Sequence, residues 1–132
     1  MAPILDAAVV ITPCYFKNKM SAAALEQHFV SVADHSSVPV ILYSVPANTT
    51  IDLPVDVVAR LARHPNIIGI KDSGGDVAKL AMLVKATEGE NFQVLAGTAS
   101  ILLPGFVVGA VGGICALLNV LPKEVSKEIK QR

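Results

Sequence analysis

Continuous apolar runs recur along the chain, and each is followed by a segment with helical periodicity. The runs are DAAVVIT (6–12), PVILYSV (39–45), NIIGIK (66–71), FQVLAG (92–97) and VGGICAL (111–117). None alternates apolar with polar residues, so each reads as a strand buried on both faces, as parallel strands covered by helices must be. Between them lie SAAALEQHFVSVADH (21–35), PVDVVARLARH (54–64), DVAKLAMLVKATEG (76–89) and a short apolar helix over roughly 99–108. A charged terminal helix, PKEVSKEIKQR (122–132), closes the chain. In the first helix Ser21 is placed as N-cap, with Ala24, Leu25, Phe29, Val32 and Ala33 on one face. In the second, Pro54 suits the first turn, and Val55, Val58, Leu61 and Ala62 line one side. In the third, Asp76 caps the start and Gly89 the stop.

Strand, helix, strand, helix at this spacing predicts an α/β chain of parallel βαβ units. Two architectures fit: an open doubly wound sheet, or part of a TIM (β/α)8 barrel. A full barrel takes about 250 residues. At 132 residues, this chain has room for little more than half of one.

Composition narrows the function classes. The chain is 52% hydrophobic with mean hydropathy +0.55, which excludes disorder. Eleven basic residues balance eleven acidic ones, so nothing points to nucleic acid. Cys14 and Cys115 lie 101 positions apart, without a metal-ligand or CxxC pattern, which favours a reduced compartment. His28, His35 and His64 read as surface residues, and no metal site is predicted. The uncharged stretch 101–121 is long enough to span a bilayer, but Pro104 and its glycines break it more naturally into a helix and a strand. No membrane partner is expected. The N-terminus has neither a basic n-region nor an Arg/Ser-rich amphipathic stretch, so no signal or transit peptide is read there.

Functional residues of parallel α/β folds gather at the C-terminal strand ends. Here those ends read Thr12–Tyr15, Tyr43–Pro46, Lys71–Ser73, Gly97–Thr98 and Ile114–Cys115. Tyr43 and Lys71 end consecutive strands, about 4.8 Å apart if the strands pair. A lysine in an apolar pocket favours its neutral form and attacks carbonyls. The resulting Schiff base is an electron sink for making or breaking carbon–carbon bonds. A tyrosine hydroxyl would shuttle the proton, with a serine or threonine as relay. Gly74 and Gly75 would let the backbone turn sharply. The plainer alternative has Lys71 solvating a strand end, with Asp72 pairing with it at the surface and Tyr43 as a rim residue.

TPCYF, LYSVPANT, NIIGIKDSGGD, VLAGT and GAVGGICAL occur in the order seen in the dihydrodipicolinate synthase / N-acetylneuraminate lyase family, which the chain resembles to about residue 120. Tyr43 and Lys71 are 71 − 43 = 28 residues apart, as the family's tyrosine and Schiff-base lysine are. The resemblance implies a class I aldolase on a TIM barrel, acting on a small 2-oxo acid without metal or organic cofactor. Lys71 would form the imine and Tyr43 would shuttle the proton. Ile114 would offer a backbone carbonyl to the substrate, with Ser73 and Gly97 facing the same mouth. Tyr15 matches a tyrosine that some members pass across a subunit interface, although Cys14 replaces the first of the usual pair. Homo-oligomers are implied for the full-length family member.

YSVPANT followed by KDSGGD most resembles the branch that cleaves 4-hydroxy-2-oxoglutarate to pyruvate and glyoxylate, with a mitochondrial location, the cytoplasm being the alternative. Asn48 stands where semialdehyde-using synthases carry an arginine, which also favours that branch. The family's Gly-Thr-Thr-Gly-Glu-like carboxylate loop has no counterpart here. The resemblance therefore implies a truncated chain, about strands four to eight of the barrel, without the N-terminal βα units or the last helices. Such a chain would leave two open edges and an uncovered interior. It would be a poor catalyst alone, or an inactive form that associates with full-length subunits. Another pyruvate-dependent lyase or synthase of the family is a further alternative.

Overall fold

The computed structural model describes residues 5–130. Five parallel strands form one sheet in the order β1 (Ala8–Ile11), β2 (Val40–Ser44), β3 (Ile67–Asp72), β4 (Gln93–Ala96) and β5 (Gly112–Gly113). Helices alternate with them: α1 (Ala22–His35), α2 (Pro46–Thr49), α3 (Val55–Leu61), α4 (Val77–Ala86), α5 (Leu102–Val107) and α6 (Pro122–Lys130). Strand order follows chain order without reversal. With every crossover right-handed, sequential order puts all helices on one face. A doubly wound sheet needs a reversal of order, so the architecture is an arc of a barrel rather than an open doubly wound sheet.

The helix-covered face holds the core. Val40, Leu42, Ile70, Val94 and Ala96 of the strands pack with Leu25, Phe29, Val57, Val58, Leu61, Leu80 and Leu83 of the helices. The concave face lacks such a cover: Val9 and Ile11 of β1 are 46% and 44% exposed. Among the described residues, β1 and β5 are the open edges of the sheet.

Local chemistry accounts for the helix starts. Ser21 Oγ accepts from the Ala24 amide at 3.2 Å, and Asp76 accepts from Ala78 and Lys79. On α1, Leu25, Phe29 and Ala33 are buried, while Ala24 and Val32 are half-buried. Other boundaries differ from the periodicity. α3 ends at Leu61 and the following residues turn. α4 ends at Ala86, where Thr87 Oγ1 bonds back to the Leu83 carbonyl at 2.9 Å, before Gly89 turns the chain with φ +90°. The expected helix over 99–108 splits into a 3-10 turn, Ala99–Ile101, and α5. The four-residue α2, with Pro46 at its first turn, was not anticipated. The last two residues of the expected terminal helix lie outside the described residues.

The expected strand over 111–117 contracts to Gly112–Gly113, and Ala116–Asn119 forms a 3-10 turn. β4 turns away after Ala96, so no backbone groups remain to pair beyond the bond from Ile114 N–H to the Ala96 carbonyl. No helix among the described residues is long and apolar enough to cross a membrane.

Candidate active site

Parallel register places Ile11, Tyr43, Lys71 and Leu95 side by side in one row across β1 to β4. The next residues form a second row: Ser44, Asp72, Ala96 and Gly113. Successive strand residues point to opposite faces. The first row therefore faces the concave side and the second faces the helices. The burial agrees: Tyr43 and Lys71 are half-buried, while Ser44, Asp72 and Ala96 are fully buried.

Lys71 Nζ lies 3.9 Å from the centroid of the Tyr43 ring, a cation–π contact at the strand ends. The Tyr43 phenol is held below its ordinary value of 10.0. The Ser73 hydroxyl beside it is the largest cause, burial opposes the shift, and the Lys71 ammonium adds to it. Ser73 Oγ is itself buried and stands beside the phenol without a fully formed hydrogen bond. Its backbone is fixed, because Ser73 N–H donates to the Ser44 carbonyl at 2.8 Å. Cys115, 5% exposed, is close enough to feel Lys71, but burial pushes its thiol up.

Gly97 belongs to the same corner. A Cβ there would lie 1.9 Å from Ser73 Oγ and 2.8 Å from the Asp72 carbonyl oxygen. Only glycine lets the β4 end pass behind the serine. Gly75 has φ +81°, in the left-handed region, where glycine turns the chain without strain. Ile114 sits at the same mouth beyond β5, 42% exposed, with its N–H donating to the Ala96 carbonyl at 2.9 Å. Tyr43, Lys71, Ser73 and Gly97 thus converge. Tyr15 stands apart in the loop after β1, 89% exposed and packed edge-on against Phe16 at 4.9 Å.

The surface pairing of Asp72 with Lys71 is not what forms. β3 runs one residue further than expected, so Asp72 is its last residue and turns to the helix face with no exposure. There Asp72 Oδ2 accepts from Lys79 Nζ at 2.7 Å, and Oδ1 accepts from the Gly74 amide at 2.9 Å. The same ammonium binds Asp52 Oδ1. Asp52 Oδ1 also accepts from Ser44 Oγ at 3.0 Å, and Ser44 Oγ accepts from Leu53 N–H at 3.3 Å. Sequence reading missed this set. Lys79 stands on the apolar face of α4, four residues from Leu83, and a lysine on such a face is the signal that would have found it.

The histidines form no metal set, and among the described residues no three His, Cys, Asp or Glu side chains converge to hold an ion. His64 departs from the surface reading. Its side chain is 16% exposed, with Nδ1 accepting from Asn66 N–H at 3.1 Å and Nε2 facing Asp34 at 3.0 Å. This places Nε2–H as the donor. His28 is held below its ordinary value by burial.

The model of the dihydrodipicolinate synthetase family matches residues 5–131. A 4-hydroxy-tetrahydrodipicolinate synthase from Methanoculleus marisnigri is 41% identical over 117 residues, covering 89% of this chain and 39% of that protein. The crystal structure of dihydrodipicolinate synthase DapA-2 from Bacillus anthracis superposes with TM-score 0.89 at 35% identity, covering 96% of this chain and 42% of that one. The chloride-inhibited synthase from Acinetobacter baumannii, complexed with pyruvate, gives TM-score 0.87 at 38% identity, covering 96% and 44%. The chain spans about two fifths of the length of these relatives.

Proposed function

The chain belongs to the dihydrodipicolinate synthetase family, and from that premise we propose that it carries the imine-forming part of a pyruvate-dependent lyase or synthase. The observation that supports this most is the juxtaposition of Lys71 Nζ and the Tyr43 ring at 3.9 Å on adjacent strand ends.

In this reading the neutral Lys71 amine attacks the ketone carbon of a 2-oxo acid. Loss of water gives an imine, whose protonated form draws electrons from the neighbouring carbon. For 4-hydroxy-2-oxoglutarate, Tyr43 takes the proton of the C4 hydroxyl as the C3–C4 bond breaks. Glyoxylate leaves, the enamine regains a proton at C3, and water releases pyruvate from Lys71. A phenol below its ordinary pKa is closer to working pH, and exchanges protons more readily in both directions. Ser73 stands where it would relay that proton or bind the substrate. Gly97 keeps the space behind it open. Ile114 supplies a carbonyl at the mouth, and Tyr15, in an exposed loop, would reach a second subunit of a homo-oligomer.

Two sequence features favour the hydroxyoxoglutarate branch over the synthase reaction: Asn48 in place of an arginine, and the wording YSVPANT with KDSGGD. A second reading, a catalytically silent chain that associates with full-length subunits, is favoured by the open concave face at Val9 and Ile11.

Borohydride reduction with pyruvate tests the imine. Mass spectrometry should place the adduct on Lys71, and an adduct that persists in Lys71→Ala overturns the assignment. Glyoxylate release from 4-hydroxy-2-oxoglutarate tests the branch. Turnover of pyruvate with a semialdehyde instead assigns the chain to the synthase reaction.

A further inference from the structure

The charge set under the strand ends binds the residues next to both members of the reactive pair. Ser44 follows Tyr43, and Asp72 follows Lys71. From α4, Lys79 reaches Asp72 at the end of β3 and Asp52 in the loop after α2. Asp52 in turn holds Ser44. The loop that delivers Asp52 is itself pinned: Thr49 Oγ1 donates to the Ile51 carbonyl at 3.0 Å and accepts from the Ile51 amide at 3.3 Å.

A buried ion set of this kind contributes little net stability compared with apolar side chains of similar volume. Its bonds are short and directional, so it fixes geometry. The side chains of Lys79 and Asp72 are 8% and 0% exposed, whereas that of Asp52 is 53% exposed. Because side chains alternate across a strand, holding Ser44 and Asp72 from the helix side sets the height and rotation of Tyr43 and Lys71 on the other. Among the described residues, Lys79 is the cation that links the two carboxylates.

We propose that Lys79, with Asp52 and Asp72, is a positioning device that holds the end of β2 against the end of β3 so that the Lys71 amine stays over the Tyr43 ring. This rests on the reading of Lys71 as the imine-forming residue. Lys79 touches neither substrate nor reacting atoms in this account and acts through the two strand ends.

Asp52→Asn tests it with the full chain, since Asp52 is the half-exposed member and its amide still accepts from Ser44. The chain has two tyrosines and no tryptophan, so absorbance at 295 nm follows phenol ionisation directly, with exposed Tyr15 as the reference. The expected result is a retained far-ultraviolet circular dichroism spectrum, an upward shift of the Tyr43 titration, and pyruvate trapping at Lys71 slowed by about 10- to 100-fold. Lys79→Arg, which keeps the charge with altered reach, should give a smaller change of the same sign in both readouts, and decides the matter if Asp52→Asn fails to fold. A Tyr43 titration that stays in place while only the melting temperature falls overturns the proposal and leaves a purely structural ion pair. If the unaltered chain traps no pyruvate on Lys71, the reading of Lys71 fails, and the Tyr43 titration still decides the positioning role.

Discussion

Lys71 Nζ sits 3.9 Å above the centre of the Tyr43 ring, and the two residues are direct partners in parallel register. Ring and hydroxyl have separable roles. Tyr43→Phe keeps the ring under the ammonium and removes only the hydroxyl that would act as the proposed shuttle. Turnover should drop by about 10²- to 10⁴-fold, while pyruvate is still trapped on Lys71 by borohydride. Equal loss of trapping and turnover in this variant would mean that the hydroxyl acts in imine formation rather than in later proton transfer.

Ser73→Ala removes the largest cause of the Tyr43 shift, so the phenol should titrate closer to 10.0. The folded-state value lies below the unfolded one. The stabilisation tied to Tyr43 ionisation is therefore complete above the unfolded value and disappears as pH falls through the folded value. Around pH 7 the variant should melt no lower than the parent, because the buried hydroxyl it removes has no fully formed hydrogen bond. Any difference belongs at alkaline pH, where the parent should be the more stable. Spectrophotometric titration and melting curves at both pH values check this.

Gly97→Ala sets a methyl group against Ser73 Oγ at 1.9 Å and the Asp72 carbonyl at 2.8 Å. The serine can rotate, but the backbone must shift. A cost of about 1–3 kcal/mol is expected from overpacking. Combining it with Ser73→Ala should recover only part of this, since the Asp72 contact remains. Full recovery in denaturant titrations would place the whole strain on the serine.

Two lysines of α4 should respond unequally. Lys79→Met leaves the Asp72 carboxylate buried without its ammonium, and should cost about 3–5 kcal/mol. Lys85, paired with Glu88 on an 83% exposed side chain, should be replaceable by methionine with no measurable change in melting temperature. Parallel thermal melts of the two variants make the comparison.

Sequence periodicity carried the strand-and-helix alternation because buried parallel strands leave unbroken apolar runs, and it carried the Tyr43–Lys71 pair because both stand where such runs end. The choice between an open doubly wound sheet and a barrel arc was not in the pattern, since βαβ units serve both; the unreversed strand order decides it. The loss of a partner beyond Ala96 trimmed β5 through a change of direction that no local pattern records. The fate of Asp72 shows the limit most clearly. One more residue of strand reversed its face, from a surface partner of Lys71 to a buried partner of Lys79 seven positions on. The sequence alone determined the alternation of strand and helix and which residues stand at the strand ends. Only the tertiary structure decided which charged groups meet each other, because those contacts join α4, the loop after α2 and two strand ends that are distant in the chain.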